Sequence, residues 1–115
     1  MTPKISWSPD GKKIAIAVKS GETDAIVMID VNSGSTERLT FDLDGISSVD
    51  WSPKGDKLAF IGSNAPQADV YVYDLNTKQL QNLTNDIFSD FDPAFSPDGK
   101  TIYFTSDRGQ YLTRS

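Results

Sequence analysis

The sequence predicts an all-β protein made of repeated four-stranded antiparallel units, and three observations carry that prediction. A turn motif returns three times, as Trp7-Ser8-Pro9-Asp10-Gly11, Trp51-Ser52-Pro53-Lys54-Gly55 and Phe95-Ser96-Pro97-Asp98-Gly99. The step is 44 residues both times, from 7 to 51 and from 51 to 95. Between the turns stand short runs of β-branched, aromatic and other apolar residues, and no stretch carries helical periodicity.

Other landmarks keep the same step. Asp30-Val31-Asn32 matches Asp74-Leu75-Asn76, Leu39-Thr40 matches Leu83-Thr84, and Asp42 matches Asp86. The first two units align without an insertion, so each unit is one structural module. In the first strand Ile5 and Trp7 alternate with polar neighbours, as do Val49 and Trp51. The turn follows. Pro9, Pro53 and Pro97 preset φ at the first corner, and Gly11, Gly55 and Gly99 supply the positive φ of a bulged hairpin. Second strands are expected at 13–18 (KIAIAV), 57–62 (KLAFIG) and 101–106 (TIYFTS), and third strands at 25–30 (AIVMID) and 69–74 (DVYVYD). The turns NSG and NTK lead to a fourth strand that ends in Leu-Thr.

The second and third strands are apolar on both faces. A lone antiparallel sheet would show one polar face, so these sheets must be covered on both sides. Four-stranded units of this length, stacked face to face around an axis, are β-propeller blades. A β-sandwich is the runner-up, and it needs no such regular repeat. The expected organisation is a single partial propeller over residues 1–115, with repeats at about 4–40, 48–84 and 92–115. The third repeat lacks its fourth strand, which leaves about eleven strands in an incomplete ring.

The segments WSPDGKKIAIA, WSPKGDKLAF, YVYDLNTKQLQNLT and DPAFSPDGKTIYFTSDRG resemble the TolB-like β-propeller repeat, a WD40-like repeat of the PD40 type. The resemblance covers nearly the whole chain. It is specific for the fold and unspecific for function, because fold does not settle function. The same repeat is similar to that of TolB proteins and of propeller domains in prolyl-oligopeptidase-like peptidases. The resemblance implies a closed ring of six or seven blades, or roughly 260–310 residues at this period. It also implies an envelope, periplasmic context, in which such propellers bind lipoprotein and translocation partners.

A partial ring leaves the outer faces of its first and last blades as bare apolar sheet, each several hundred Å², more than monomers ordinarily expose. Two solutions follow. Either the blades belong to a longer chain, or chains associate and cover one another. A dimer of six blades with twofold symmetry is the favoured oligomer; three copies would give a larger ring.

Composition bounds the chemistry. A net charge of -5 argues against a nucleic-acid partner. No apolar run approaches the ~18 residues of a spanning helix, so membrane insertion is not expected, and the opening MTPKISW lacks a signal-peptide layout. The chain has no Cys and no His, which removes disulfides, the common zinc sites and any His-dependent nucleophile. No cofactor and no catalytic residue are expected.

The repeat supplies its own comparison. Positions that agree among units serve the blade, and positions that differ are free to serve a ligand. By that test Trp7, Trp51 and Phe95 are scaffold, aromatic wedges packed against the next blade. Lys54 replaces Asp10 and Asp98 in the middle unit, which argues against a metal role there, and Asp30 and Asp74 read as turn residues. The interblade loops 41–47 (FDLDGIS) and 85–92 (NDIFSDFD) are expected on the same propeller face as the connections between second and third strands. They place Asp42, Asp44, Asp86, Asp90 and Asp92 there, as a patch for a basic partner or a Ca2+ site, weighed against turn chemistry and solubility. Phe88 and Phe91 plug the channel or blade interface, or recognise a peptide. Arg108 pairs with a neighbouring Asp or meets a ligand carboxylate.

The first functional expectation is a non-catalytic scaffold binding a protein or peptide through this face. The second is a fragment of a larger enzyme, such as the gating propeller of a serine peptidase. A third, a polysaccharide- or metal-binding lyase-like propeller, is weakened by the absence of His.

Overall fold

The computed structural model of the chain describes residues 5–20, 23–63, 68–83, 90–106 and 109–114. Side chains at 20, 90–92, 105–106 and 109–114 lie outside that description. The strands are β1 (Ile5–Trp7), β2 (Lys13–Ser20), β3 (Thr23–Asp30), β4 (Thr36–Trp51), β5 (Lys57–Ser63), β6 (Ala68–Asp74), β7 (Gln79–Asn82), β8 (Asp90–Phe95), β9 (Thr101–Ser106) and β10 (Gly109–Arg114). No helix occurs among the described residues. Strands β1 to β7 pair in chain order, and β8, β9 and β10 form a second sheet. Every pairing is antiparallel, and the ring is open.

The turns show why the motif repeats. The Ser8 hydroxyl donates to Asp10 Oδ1 at 2.7 Å and accepts the Lys13 backbone N–H at 3.0 Å. The Lys12 N–H also reaches Asp10 Oδ1. Ser96, Asp98, Lys100 and Thr101 repeat the arrangement. The middle turn solves the same problem differently: Lys54 stands at the Asp position, and Ser52 donates to Asp56 Oδ1 at 2.7 Å. The carboxylate has moved two residues along, exchanging places with the lysine. Each serine is buried, so each needs its partners. The serine bonds hold the Asp10 and Asp98 carboxyls below the ordinary range, with the backbone amides adding to the effect.

The β3–β4 and β6–β7 turns are also one device. Asp30 Oδ1 accepts from Asn32 and Ser33, and Asp74 Oδ1 accepts from Asn76 and Thr77. Backbone donation from Ser33 and Thr77 is the main cause of the lowered pKa of each carboxyl. Both turns close in the left-handed region, through Gly34 at φ 75° and Lys78 at φ 60°. Glycine adopts that region freely and lysine does not. Lys78→Gly is therefore expected to stabilise the chain by about 1 kcal/mol. A higher urea midpoint at unchanged m-value checks it, and an unchanged or lower midpoint counts against the strain.

Two apolar layers lie between blades. Ala15, Ile26, Met28 and Leu39 of the first blade meet Trp51, Leu58, Phe60 and Tyr71 of the second. Ala59, Ile61, Val70 and Val72 of the second meet Ile102 and Phe104 of the third. The rings of Phe41, Phe60 and Tyr71 stack at 5.2 and 5.9 Å, and Phe41 meets Tyr73 edge-on at 5.0 Å.

One element departs from the sequence expectation. The segment 41–47 is not a loop. It is the middle of β4, a continuous strand of 16 residues. Its first half pairs with β3 and its second half with β5. Counted by blade, the eleven expected strands are present, two of them fused. A straight strand of that length would span about 50 Å, more than the 43 Å longest dimension of the molecule. β4 must bend, and it bends at bulges.

Candidate functional site

The end of the blades opposite the serine turns is built by these bulges. Asp24 pairs with Leu43, but Ala25 pairs with Thr40. Asp44, Ser47 and Asp50 pair with Ser63, Ile61 and Ala59, so each three-residue step on β4 faces two residues on β5. One residue in each irregular step has positive φ: Asp42 at 57°, Gly45 at 59° and Ser48 at 55°. Each extra residue resets the alternation of the strand. Leu43, Ile46 and Val49, three apart, therefore all enter the same core. In a regular strand, residues three apart would face opposite sides.

The same geometry turns Asp42 and Asp44 outward; both are exposed. Beside them Asp24 is buried, with Oδ2 accepting the Ile46 N–H at 3.1 Å and Oδ1 3.9 Å from exposed Lys19 Nζ. In the second blade buried Asp69 accepts from Asn82 Nδ2 at 3.1 Å. The Tyr71 phenol is pushed up, first by burial and then by the Asp69 charge. Lys12, Lys13, Lys54, Lys57, Lys78 and Lys100 stand toward the other end, on or beside the turns. Among described side chains, Lys19 is the one cation at the acidic end.

Asp86, Phe88 and Arg108 lie outside the described residues. Asp90, Phe91 and Asp92 are placed by backbone only, at the start of β8. Among the described residues, no group of three or more carboxylates is arranged to hold a metal ion.

The inner strands form a groove of about 470 Å³, lined by Ile5, Ser6, Val49, Asp50, Pro93 and Ala94, with Ser48 at its side. Two hydrogen bonds join the blades along it. Trp51 Nε1 donates to the Ser6 carbonyl at 3.0 Å. Phe95 cannot do this, having no indole N–H; instead its backbone N–H donates to Asp50 Oδ2 at 3.0 Å. The aromatic wedges thus pack on the preceding blade, not the next. Trp51 is 6% exposed and Trp7, its repeat equivalent, is 55% exposed.

A family model, the TolB beta propeller domain, matches residues 1–111. The chain belongs to the TolB β-propeller domain family. TolB from Acinetobacter baumannii superposes with a TM-score of 0.81 at 32% identity, over 99% of this chain and 31% of that one. A protein from Agrobacterium tumefaciens assigned as TolB gives 0.76 at 27% identity, over 92% and 39%. The tricorn protease gives 0.69 at 19% identity, over 89% and 10%, which is a likeness of fold alone. The chain thus spans about a third of the length of the TolB structures it matches. No curated protein matches it.

The bulged strand is what sequence reasoning missed. The signal was present in Asp42-Leu43, Gly45-Ile46 and Ser48-Val49. Each pair sets a residue of left-handed φ before a buried apolar one. A three-residue spacing matches neither a strand nor a helix, and so read as loop.

Proposed function

We propose that these TolB-type blades form a non-catalytic binding scaffold, which engages a basic protein or peptide segment at the acidic end. The observation that supports this most is an excess of carboxylates at one end. Asp24, Asp42, Asp44 and Asp69 stand there with Lys19, whereas the turn lysines at the other end stand among Asp10, Asp30, Asp56, Asp74 and Asp98. The bulges hold Asp42 and Asp44 on a strand packed into the core, so their positions cost a ligand little ordering.

A lysine-rich peptide is the probe, titrated by calorimetry at low and physiological salt. Asp42→Asn combined with Asp44→Asn is expected to weaken binding about three- to tenfold at low salt, since exposed charge pairs contribute up to about 1 kcal/mol each. Unchanged affinity in the double variant would remove these residues from the site. Absence of binding to the unmodified chain would sink the basic-partner reading.

A second reading is favoured by the 31% and 39% coverage of the TolB chains. Here the same blades are part of a larger propeller, with any catalytic domain elsewhere in a longer chain. A hydrolase segment encoded beside the blades in one reading frame would decide for it.

A further inference from the structure

Among the described residues two carboxylates are buried, both at the acidic end, and they are provided for differently. Asp69 Oδ2 accepts from a neutral donor of its own blade, Asn82 Nδ2, at 3.1 Å. Asp24 has one oxygen provided for in this way: Oδ2 accepts the Ile46 N–H at 3.1 Å. Its other oxygen, Oδ1, accepts no hydrogen bond among the described residues. Lys19 Nζ stands 3.9 Å from it, beyond hydrogen-bond reach.

The two side chains of that pair are unlike. Asp24 is 9% exposed and Lys19 is 89% exposed. They are cross-strand neighbours on β3 and β2, so the lysine comes to the aspartate from solvent, and Oδ1 faces the side from which it comes. A carboxylate taken out of water needs its lone pairs filled. An ammonium that stays in water fills them poorly, and such a pair contributes little. Nor is the carboxylate free to turn toward a better donor. Asp24 pairs with Leu43 just where the register of β4 shifts, and Oδ2 is tied to Ile46 in the next irregular step. Exposed Asp42 and Asp44 flank Leu43 in the chain.

We propose that Asp24 Oδ1 is the anchor for one lysine ammonium of the basic partner, and that Lys19 holds the place until that ammonium displaces it. The proposal rests on the acidic end being the binding site, and it adds a preference and a restraint. The preference is for lysine over arginine. With Oδ2 committed to Ile46, one oxygen is left for the ligand. A guanidinium fork draws its advantage from two parallel bonds to a carboxylate. An ammonium on a flexible stem needs one acceptor. The restraint is Lys19 itself. It is an intramolecular competitor, present at every ligand concentration, and it keeps the affinity below what the carboxylates alone would give.

The test is calorimetric titration of a lysine-rich peptide and its arginine counterpart at physiological salt. The proteins are the unmodified chain, Asp24→Asn, Lys19→Gln and the double variant. Asparagine keeps the shape of the side chain and an oxygen for the Ile46 N–H, so the bulge is retained. Asp24→Asn is expected to weaken the lysine peptide about tenfold or more. Lys19→Gln is expected to tighten it about two- to fivefold. In the Asp24→Asn background that gain should fall below about twofold, because no anchor is then uncovered. The unmodified chain should bind the lysine peptide at least about twofold more tightly than the arginine peptide. The amide resonance of Ile46 gives a readout that does not pass through affinity. It should move on titration with the lysine peptide, since its acceptor is the anchoring carboxylate. If Asp24→Asn does not fold, the Lys19→Gln gain and the Ile46 resonance decide.

An equal gain from Lys19→Gln with and without Asp24 would overturn the proposal in favour of general repulsion. So would an arginine peptide that binds more tightly than the lysine one. Weakening by Asp42→Asn with Asp44→Asn, but none by Asp24→Asn, would overturn the anchor and leave the acidic-end reading standing; a still Ile46 resonance at saturation would do the same. No binding of either peptide to any of the proteins would overturn both.

Discussion

Trp51→Ala is expected to cost the fold about 3–5 kcal/mol, and Trp7→Ala under about 1 kcal/mol, measured by urea unfolding of dilute, single-chain protein. The two residues share a motif and a place in their strands. They differ in what lies beside them. Trp51 is buried in the layer between the first two blades, and its indole donates to the Ser6 carbonyl. Removing it opens a cavity and leaves that carbonyl without this donor. Trp7 faces outward, so its truncation removes mostly exposed surface. A domain of this size has about 5–15 kcal/mol in hand, so the first change takes a large share and the second almost none. Equal effects would mean that the outer face of the first blade is covered even in the single chain.

Gly62→Val is expected to be the next most damaging change, at about 2–3 kcal/mol. A Cβ at Gly62 would lie 2.9 Å from Leu43 Cδ1 and 3.3 Å from Tyr71 Cδ2. Leu43 is itself buried and held in the bulged part of β4, so it cannot swing aside at little cost. Valine is tolerated at the equivalent place in the first blade, Val18, which faces the open side. The pair Gly62→Val and Leu43→Ala should couple: the double variant is expected to be more stable than the sum of the two single losses predicts. Strict additivity would show that the two side chains do not compete for one space. A neutral Gly62→Val would show that β4 and β5 are further apart than described.

Much of this was legible in the residues. The serine turns and aspartate turns act within five residues of themselves, so their chemistry is written in SPDG and in DVNSG. Even the middle turn obeys, because the carboxylate lost at Lys54 reappears at Asp56. The two-sided apolar character of β2, β3, β5 and β6 required covered sheets; β5 and β6 are covered on both faces, and β2 and β3 on the face toward the second blade. The passage between the first two blades was not legible. Leu43, Ile46 and Val49 follow a spacing that regular secondary structure does not use, and only the pairing of β4 with both neighbours shows what that spacing serves. Of the candidate site, the acidic character of 42 and 44 was readable, but not the rigid strand that carries them.

Local sequence alone determined the blade, its turns and its repeat, because hydrogen bonds between near neighbours and strand alternation are short-range matters. Tertiary structure alone decided the fates of equivalent positions. Trp7 and Trp51 are told apart by the blade against the second, whose Ser6 carbonyl lies 45 residues away from it, and positions 59 and 103 differ in burial by whether another blade lies against them. Burial belongs to the neighbour as much as to the residue, and the neighbour is chosen by the packing of whole sheets.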